Sequence, residues 1–238
     1  SDEEIAKLIP TFLKAQEEFY EKRIREIGAL PSYEEFLAMG EANFNLVLHP
    51  EARAAASDLA ERLQIPYIEL SRFYDVNAVT RQYQALEKAL GVTFSIADME
   101  DETKEVIAKA QQAYPGLRIS VGETLNANPF ELALALLQYG FAVPEIFGNP
   151  APEYDYYLQH IAELSPETKV YSNMESTMLY YTPTPGQVDF SIGKDAGYYH
   201  PEIPNLPWNE DVQPYGYAGI RQLFTAMIAL LSAKGDPS

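Results

Sequence analysis

Apolar positions recur at two different spacings along this chain, and the switches between them predict its elements. Over residues 2–27, Ile5, Leu8, Ile9, Phe12 and Leu13 fall on one helical face. Pro10 interrupts that helix and Gly28 stops it. Its later part, residues 17–27, is highly charged, as in helices that bridge to another body. From Asn43 the pattern becomes strand, turn, helix, strand. Residues 44–48 read as a strand ended by His49 and Pro50, and Ala52, Ala55, Leu59 and Leu63 give a helical stripe. Residues 65–70 form the next strand. This βαβ unit implies parallel strands joined by a right-handed crossover. Val76, Val79, Tyr83, Leu86 and Leu90 then line a further helix, closed by Gly91.

A second cycle opens with an acidic helix start at 98–102 and a strand at 117–121. Residues 122–128 form a loop, and 129–139 a helix with Asn128 as N-cap and Pro129 in its first turn. Gly140 ends that helix, 142–147 is a strand and 152–164 a helix, with further strands at 169–172 and 188–192. Residues 193–216 are rich in Gly, Pro and Tyr and read as a long ordered loop. A closing helix at 217–234 carries Ile220, Leu223, Phe224, Met227, Leu230 and Leu231, with Gly235 as its cap. The expected architecture is α/β, with two Rossmann-like three-layer α/β/α lobes on parallel sheets, an N-terminal helix and a closing C-terminal helix. The expected domains are an N-terminal helical connector (1–34), a first lobe (35–95) and a second lobe carrying the closing helix (96–238).

Composition narrows the function classes. The 238 residues are 47% hydrophobic, enough for a real core, and carry a net charge of −18. Such a charge repels phosphate backbones and anionic lipid, so neither nucleic acid nor a membrane is an expected partner. No apolar run reaches the roughly 18 residues that a bilayer span needs. The start has neither a basic nor an apolar signal-peptide region, and its first residue is Ser rather than Met, implying a processed or excised chain. There is no cysteine, which excludes disulfides, thiolate nucleophiles and thiolate-held metals.

Candidate chemistry gathers after strands. The 122–128 loop, with Gly122, Glu123, Thr124 and Asn126, follows a strand and opens a helix, where backbone N–H groups converge. It is no dinucleotide fingerprint, since it carries one Gly, and Glu123 opposes a phosphate. A capped βα turn without a ligand is the alternative. The 193–200 loop offers Gly193, then Lys194 and Asp195 to grip a polar group, and an aromatic run to line a cleft or partner surface. The alternative there is solvated charges over packed tyrosines. His49 and His200 each follow a predicted strand, whereas His160 lies mid-helix, and no two of the three histidines share metal-ligand spacing. There is no G-x-S-x-G elbow to support a hydrolase triad.

Several stretches resemble one family. Asn45-Leu46-Val47-Leu48-His49-Pro50-Glu51-Ala52, followed by Leu59-Ala60-Glu61-Arg62-Leu63-Gln64-Ile65-Pro66, resembles the second domain of nitrogenase component-1-type proteins, with Gln64 in place of a Gly. Val121-Gly122-Glu123, Phe130-Glu131-Leu132-Ala133 and Leu137–Val143 resemble the start of the third domain, and Val188–Ala196 its late strand. Pro214-Tyr215-Gly216-Tyr217-Ala218-Gly219-Ile220 resembles the segment that opens the final helix.

The resemblance spans roughly residues 35–235 and rests on order and spacing. It implies an oxidoreductase subunit forming a substrate or cofactor cleft, with iron–sulfur ligands in an N-terminal domain that this sequence lacks. No cofactor is expected in this chain itself, and the parent complex would hold the cluster. The implied partners are a homologous component-1-type subunit, in a homo- or hetero-oligomer, and an ATP-driven iron–sulfur reductase, in the cytoplasm. By the resemblance, the cofactor-ligating Cys of the family's catalytic subunits falls near Leu48 or His49, and their ligating His falls near 206–208, where no ligand-type side chain stands. A non-catalytic scaffold or binding subunit for a metal cluster or tetrapyrrole precursor is the alternative, and a pure interaction subunit a third.

Overall fold

A computed structural model describes residues 30–210 and 213–234. The expected helix over 2–27 and the cap at Gly235 lie outside them. The described residues contain eight α-helices and seven strands, and both sheets are parallel. They divide into a smaller unit (30–72 and 82–94) and a larger one (73–81, 95–210 and 213–234). Among the described residues no helix is long and apolar enough to cross a membrane.

The smaller unit holds helix α1 (Tyr33–Leu37), strand β1 (Asn45–Val47), helix α2 (Arg53–Leu63) and strand β2 (Tyr67–Glu69). Ser32 caps α1 by accepting from Glu35 N at 3.2 Å. β1 and β2 pair in parallel with Asn45 opposite Tyr67, as the βαβ pattern requires. The buried face of α2 centres on Ala56 rather than Ala55, and Leu63 is exposed. The 3₁₀ turn Pro50–Ala52 starts α2 at Arg53, and one residue of phase turns a helix by about 100°. Gln64 ends α2 in the left-handed conformation, at φ 59°. That is the position of the family's Gly, the residue that adopts it without steric cost.

Helix α3 (Val76–Leu90) spans the stretch that its stripe predicts, with Val76, Val79, Tyr83 and Leu86 buried. The larger unit continues with α4 (Ala97–Ala113), β3 (Arg118–Val121), α5 (Pro129–Gln138), β4 (Ala142–Phe147), α6 (Asp155–Leu164), β5 (Lys169–Tyr171), β6 (Phe190–Ile192), α7 (Lys194–Tyr199), β7 (Asn205–Leu206) and α8 (Gly216–Lys234). Residues 193–216 are therefore not one loop, because α7 and β7 lie within them. Both are too short for periodicity to reveal. Tertiary contacts make them: Ser191 pairs with Asn205, and Ala196 is buried.

The sheet order is β5-β4-β3-β6-β7, the doubly wound arrangement. Ile119, Val121, Ile146, Phe190 and Ile192 lie fully buried in it. α5 is buried from Pro129 to Leu136, and Asn128 caps it by accepting from Phe130 N and Glu131 N. One row across this sheet is polar. Ser120 pairs with Glu145 and with Ser191, and Ser191 pairs with Asn205. Parallel strands covered on both faces are ordinarily apolar throughout, so this row needs partners for every group.

Candidate functional site

In a doubly wound sheet the chain leaves neighbouring strands in opposite directions at one point, and a crevice opens outside their carboxyl ends. Here that point lies between β3 and β6, which lead into Gly122 and Gly193. The two turns touch. Gly122 N donates to Ile192 O at 2.7 Å, and a Cβ on Gly193 would stand 3.0 Å from Gly122 Cα. Gly193 adopts φ 105°, which L side chains rarely reach.

Asp195 fills the crevice. Its carboxylate accepts from Glu123 N at 2.9 Å, Thr124 N at 2.9 Å and Asn173 Nδ2 at 2.8 Å. These are the converging N–H groups that make a βα turn attractive to an anion. A Cβ on Gly122 would meet Asp195 Oδ1 at 2.2 Å, so glycine is what lets the carboxylate in. Glu123 turns away and accepts from Asn149 Nδ2 at 2.8 Å and 3.0 Å. Lys194 N donates to Thr124 O at 3.1 Å, while the Lys194 side chain is exposed. Asn126 fastens the far end of the loop. Its N donates to Trp208 O at 2.7 Å and its Nδ2 to Glu210 O at 2.6 Å. Trp208 takes φ 49°, a strained conformation for a bulky residue, and its indole N–H donates to Tyr74 Oη.

Of the residues singled out from sequence, the structure brings together Gly122, Glu123, Thr124, Gly193, Lys194 and Asp195. His200 does not join them and does not follow a strand. It ends α7 and is buried, with Nε2 bonded to Glu145 Oε1. Glu145 also accepts from Ser120 Oγ at 2.9 Å and Tyr181 Oη at 2.7 Å. Burial alone pushes the Glu145 carboxyl up, but the bonds from His200, Tyr181 and Ser120 outweigh it and hold the group below its ordinary value. Phe147, Tyr171, Tyr181 and Tyr199 pack around this cluster. His49 lies in the smaller unit, exposed.

Sequence reasoning missed Glu145, although a carboxylate inside the run Ala142-Val143-Pro144-Glu145-Ile146-Phe147 was a visible signal. Asn149 and Asn173 gave none, since an Asn after a strand reads as a turn residue.

A family profile described as nitrogenase component 1 type oxidoreductase matches residues 29–232. The chain belongs to that family. Among solved structures, one described as nitrogenase Cp1 at pH 6.5 matches with a TM-score of 0.71 and 17% identity, covering 97% of this chain. At that identity the likeness speaks for the fold. The chain spans 57% of the length of that nitrogenase chain. No curated protein matches.

The family implies an iron–sulfur cluster, and the residues present do not fit one. The sequence has no cysteine. Among the described residues no three His, Asp or Glu side chains converge as metal ligands.

Proposed function

We propose that this chain is part of a nitrogenase component-1-like oxidoreductase subunit, in which it forms one wall of a substrate or cofactor cleft. The reading is carried by one observation: a family match over residues 29–232, on a fold that covers 97% of this chain but only 57% of the nitrogenase chain. The iron–sulfur ligands belong to a further N-terminal domain of the parent protein. Electrons reach it from an ATP-driven iron–sulfur reductase, and a homologous subunit completes the cleft. The residues of the wall are Gly122, Glu123 and Thr124 with Gly193, Lys194 and Asp195, which meet at the sheet's switch point. Here they position backbone and shape the surface, and no electron-transfer step is assigned to them.

A non-catalytic scaffold or binding subunit for a metal cluster or tetrapyrrole precursor is the second reading. The cysteine-free sequence and the carboxylate already seated on the Glu123 and Thr124 N–H groups favour it.

Iron content and visible absorption of the anaerobically purified full-length parent decide between the two. A brown, iron-bearing protein is the expected result. A colourless, iron-free protein sinks the redox reading and leaves the scaffold.

A further inference from the structure

Glu145 and Phe147 stand two residues apart on β4, so their side chains leave the same face of the sheet. β5 sets Tyr171 opposite Phe147. After the 3₁₀ turn Ser176–Tyr180 the chain straightens at Tyr181, with φ −60° and ψ 131°. Its ring meets Tyr199 at 5.0 Å, Tyr171 at 5.1 Å and Phe147 at 5.4 Å, each edge-on. Tyr199 in turn stacks on Phe147 at 4.5 Å, and Tyr198 lies 5.3 Å from Tyr199. The rings form one continuous array beside a buried carboxylate.

One phenol of that array is bonded to the carboxylate. Tyr181 Oη donates to Glu145 Oε2 at 2.7 Å, the short distance of a charge-assisted bond. Glu145 is 2% exposed, and its other oxygen accepts from Ser120 Oγ at 2.9 Å and is bonded to His200 Nε2. Burial opposes the charge, yet the bonds from His200, Tyr181 and Ser120 outweigh it and keep the group a carboxylate. Burial, and then the bonded carboxylate, push the Tyr181 phenol far above its ordinary value, so it does not ionise by itself. Tyr199, by contrast, donates to Asn173 Oδ1 at 3.3 Å, an amide oxygen that takes up no proton near neutral pH.

This pairing suits one chemical event. A phenol that loses an electron becomes a very strong acid, and it persists as a radical only where its proton has a base within hydrogen-bond reach. Without a base, the event leaves a positive charge among apolar rings, which low-dielectric surroundings penalise. At Tyr181 the proton passes to Glu145 Oε2 and both groups end neutral. A buried charge is removed rather than created.

We propose that Tyr181 and Glu145 form a proton-coupled redox site, at which a one-electron hole on the surrounding rings is trapped as a neutral tyrosyl radical. Tyr181 gives one electron to an oxidant of the oxygen-radical or high-valent-metal class, which is reduced by that electron. The Tyr181 O–H bond breaks and an O–H bond forms on Glu145. One-electron reduction by a small-molecule reductant reverses the step, and the proton returns from Glu145. The site is complete within this chain, so it goes beyond the function proposed above and holds for a scaffold as for a reductase.

The test uses the full-length parent under anaerobic conditions. A photoexcited ruthenium–bipyridine complex with a sacrificial cobalt acceptor oxidises it in a flash, and the frozen sample is read by electron paramagnetic resonance. Wild-type, Tyr181→Phe and Glu145→Gln forms are compared, with unchanged circular dichroism as the folding control. Subtracting the Tyr181→Phe spectrum cancels every other radical and any iron signal. The expected result is a tyrosyl signal that is absent from Tyr181→Phe. It falls at least about 10-fold in Glu145→Gln, the effect of losing one hydrogen bond to a charged group. The wild-type signal also carries a coupling to a deuterium-exchangeable proton, the one moved to Glu145, and this readout needs no variant at position 145. Four outcomes overturn the proposal: an equal signal in Tyr181→Phe, an equal signal in folded Glu145→Gln, no exchangeable coupling, or a radical with the indole spectrum of Trp208. None of these bears on the iron content of the parent, and an iron-free parent leaves this test intact.

Discussion

Glu131 offers the sharpest test of how this fold handles a charge. It is 3% exposed on α5, and its carboxylate accepts from Tyr74 N at 3.0 Å and Asp75 N at 3.1 Å. Tyr139 completes the clasp, donating to Tyr74 O at 2.8 Å and accepting from Val76 N at 2.9 Å. Burial pushes the Glu131 carboxyl up to about 8, against the pull of its N–H donors. Between about 4.5 and about 8 the folded chain therefore keeps a proton that the unfolded chain has released. This group's contribution is fully present below the lower value and is lost as pH rises through the upper one. At about 1.4 kcal/mol per pH unit, that window corresponds to on the order of 5 kcal/mol.

Glu131→Gln keeps a carbonyl acceptor and cannot titrate. Urea unfolding of both proteins from pH 5 to 9 at fixed ionic strength, followed at the sole tryptophan, Trp208, checks the reasoning. Trp208 lies in the same unit as Glu131 and donates to Tyr74, so its fluorescence reports the relevant packing. Subtracting the variant from the wild type cancels the other carboxylates. The difference should move against the wild type by several kcal/mol as pH rises. Parallel stability curves would refute the argument and show that the N–H donors outweigh burial.

Two further outcomes are expected. Gln64→Gly should raise the stability of the smaller unit by roughly 0.5 kcal/mol. Relief of about 1–2 kcal/mol of left-handed strain exceeds the extra chain entropy of up to about 1 kcal/mol. Amide exchange in α2 reads this, and faster exchange would count against it. Gly122→Ala should cost about 2–3 kcal/mol, because its Cβ drives into Asp195 Oδ1. Adding Asp195→Ala should recover at least about 1 kcal/mol in a double-mutant cycle, and simple additivity would show that the close contact does not set the cost.

What the sequence disclosed follows from how local each signal is. The α3 stripe and the Asn128-Pro129 helix start are written in residues a few positions apart, and both stand as read. The family emerged from the order of short segments rather than from any single motif. β7 was invisible because two residues become a strand only by pairing with β6. His200 was placed in a loop after a strand because its partner Glu145 stands 55 residues away. Glu131 read as an ordinary helix carboxylate, and nothing within α5 announces the Tyr74 and Asp75 N–H groups that it serves. Asp195 and the 122–128 loop were each singled out, but their union needed the sheet to bring two turns together.

That union changes the competition for the crevice. A carboxylate tethered on α7 acts like a ligand at an effective concentration of about millimolar or higher, and it is never diluted. A free anion with the same intrinsic affinity for the Glu123 and Thr124 N–H groups would need to exceed that concentration to displace it. Metabolite anions at micromolar levels are thereby excluded without any steric barrier. Only a ligand that brings additional contacts of its own, or a rearrangement that withdraws Asp195, reopens the two N–H groups.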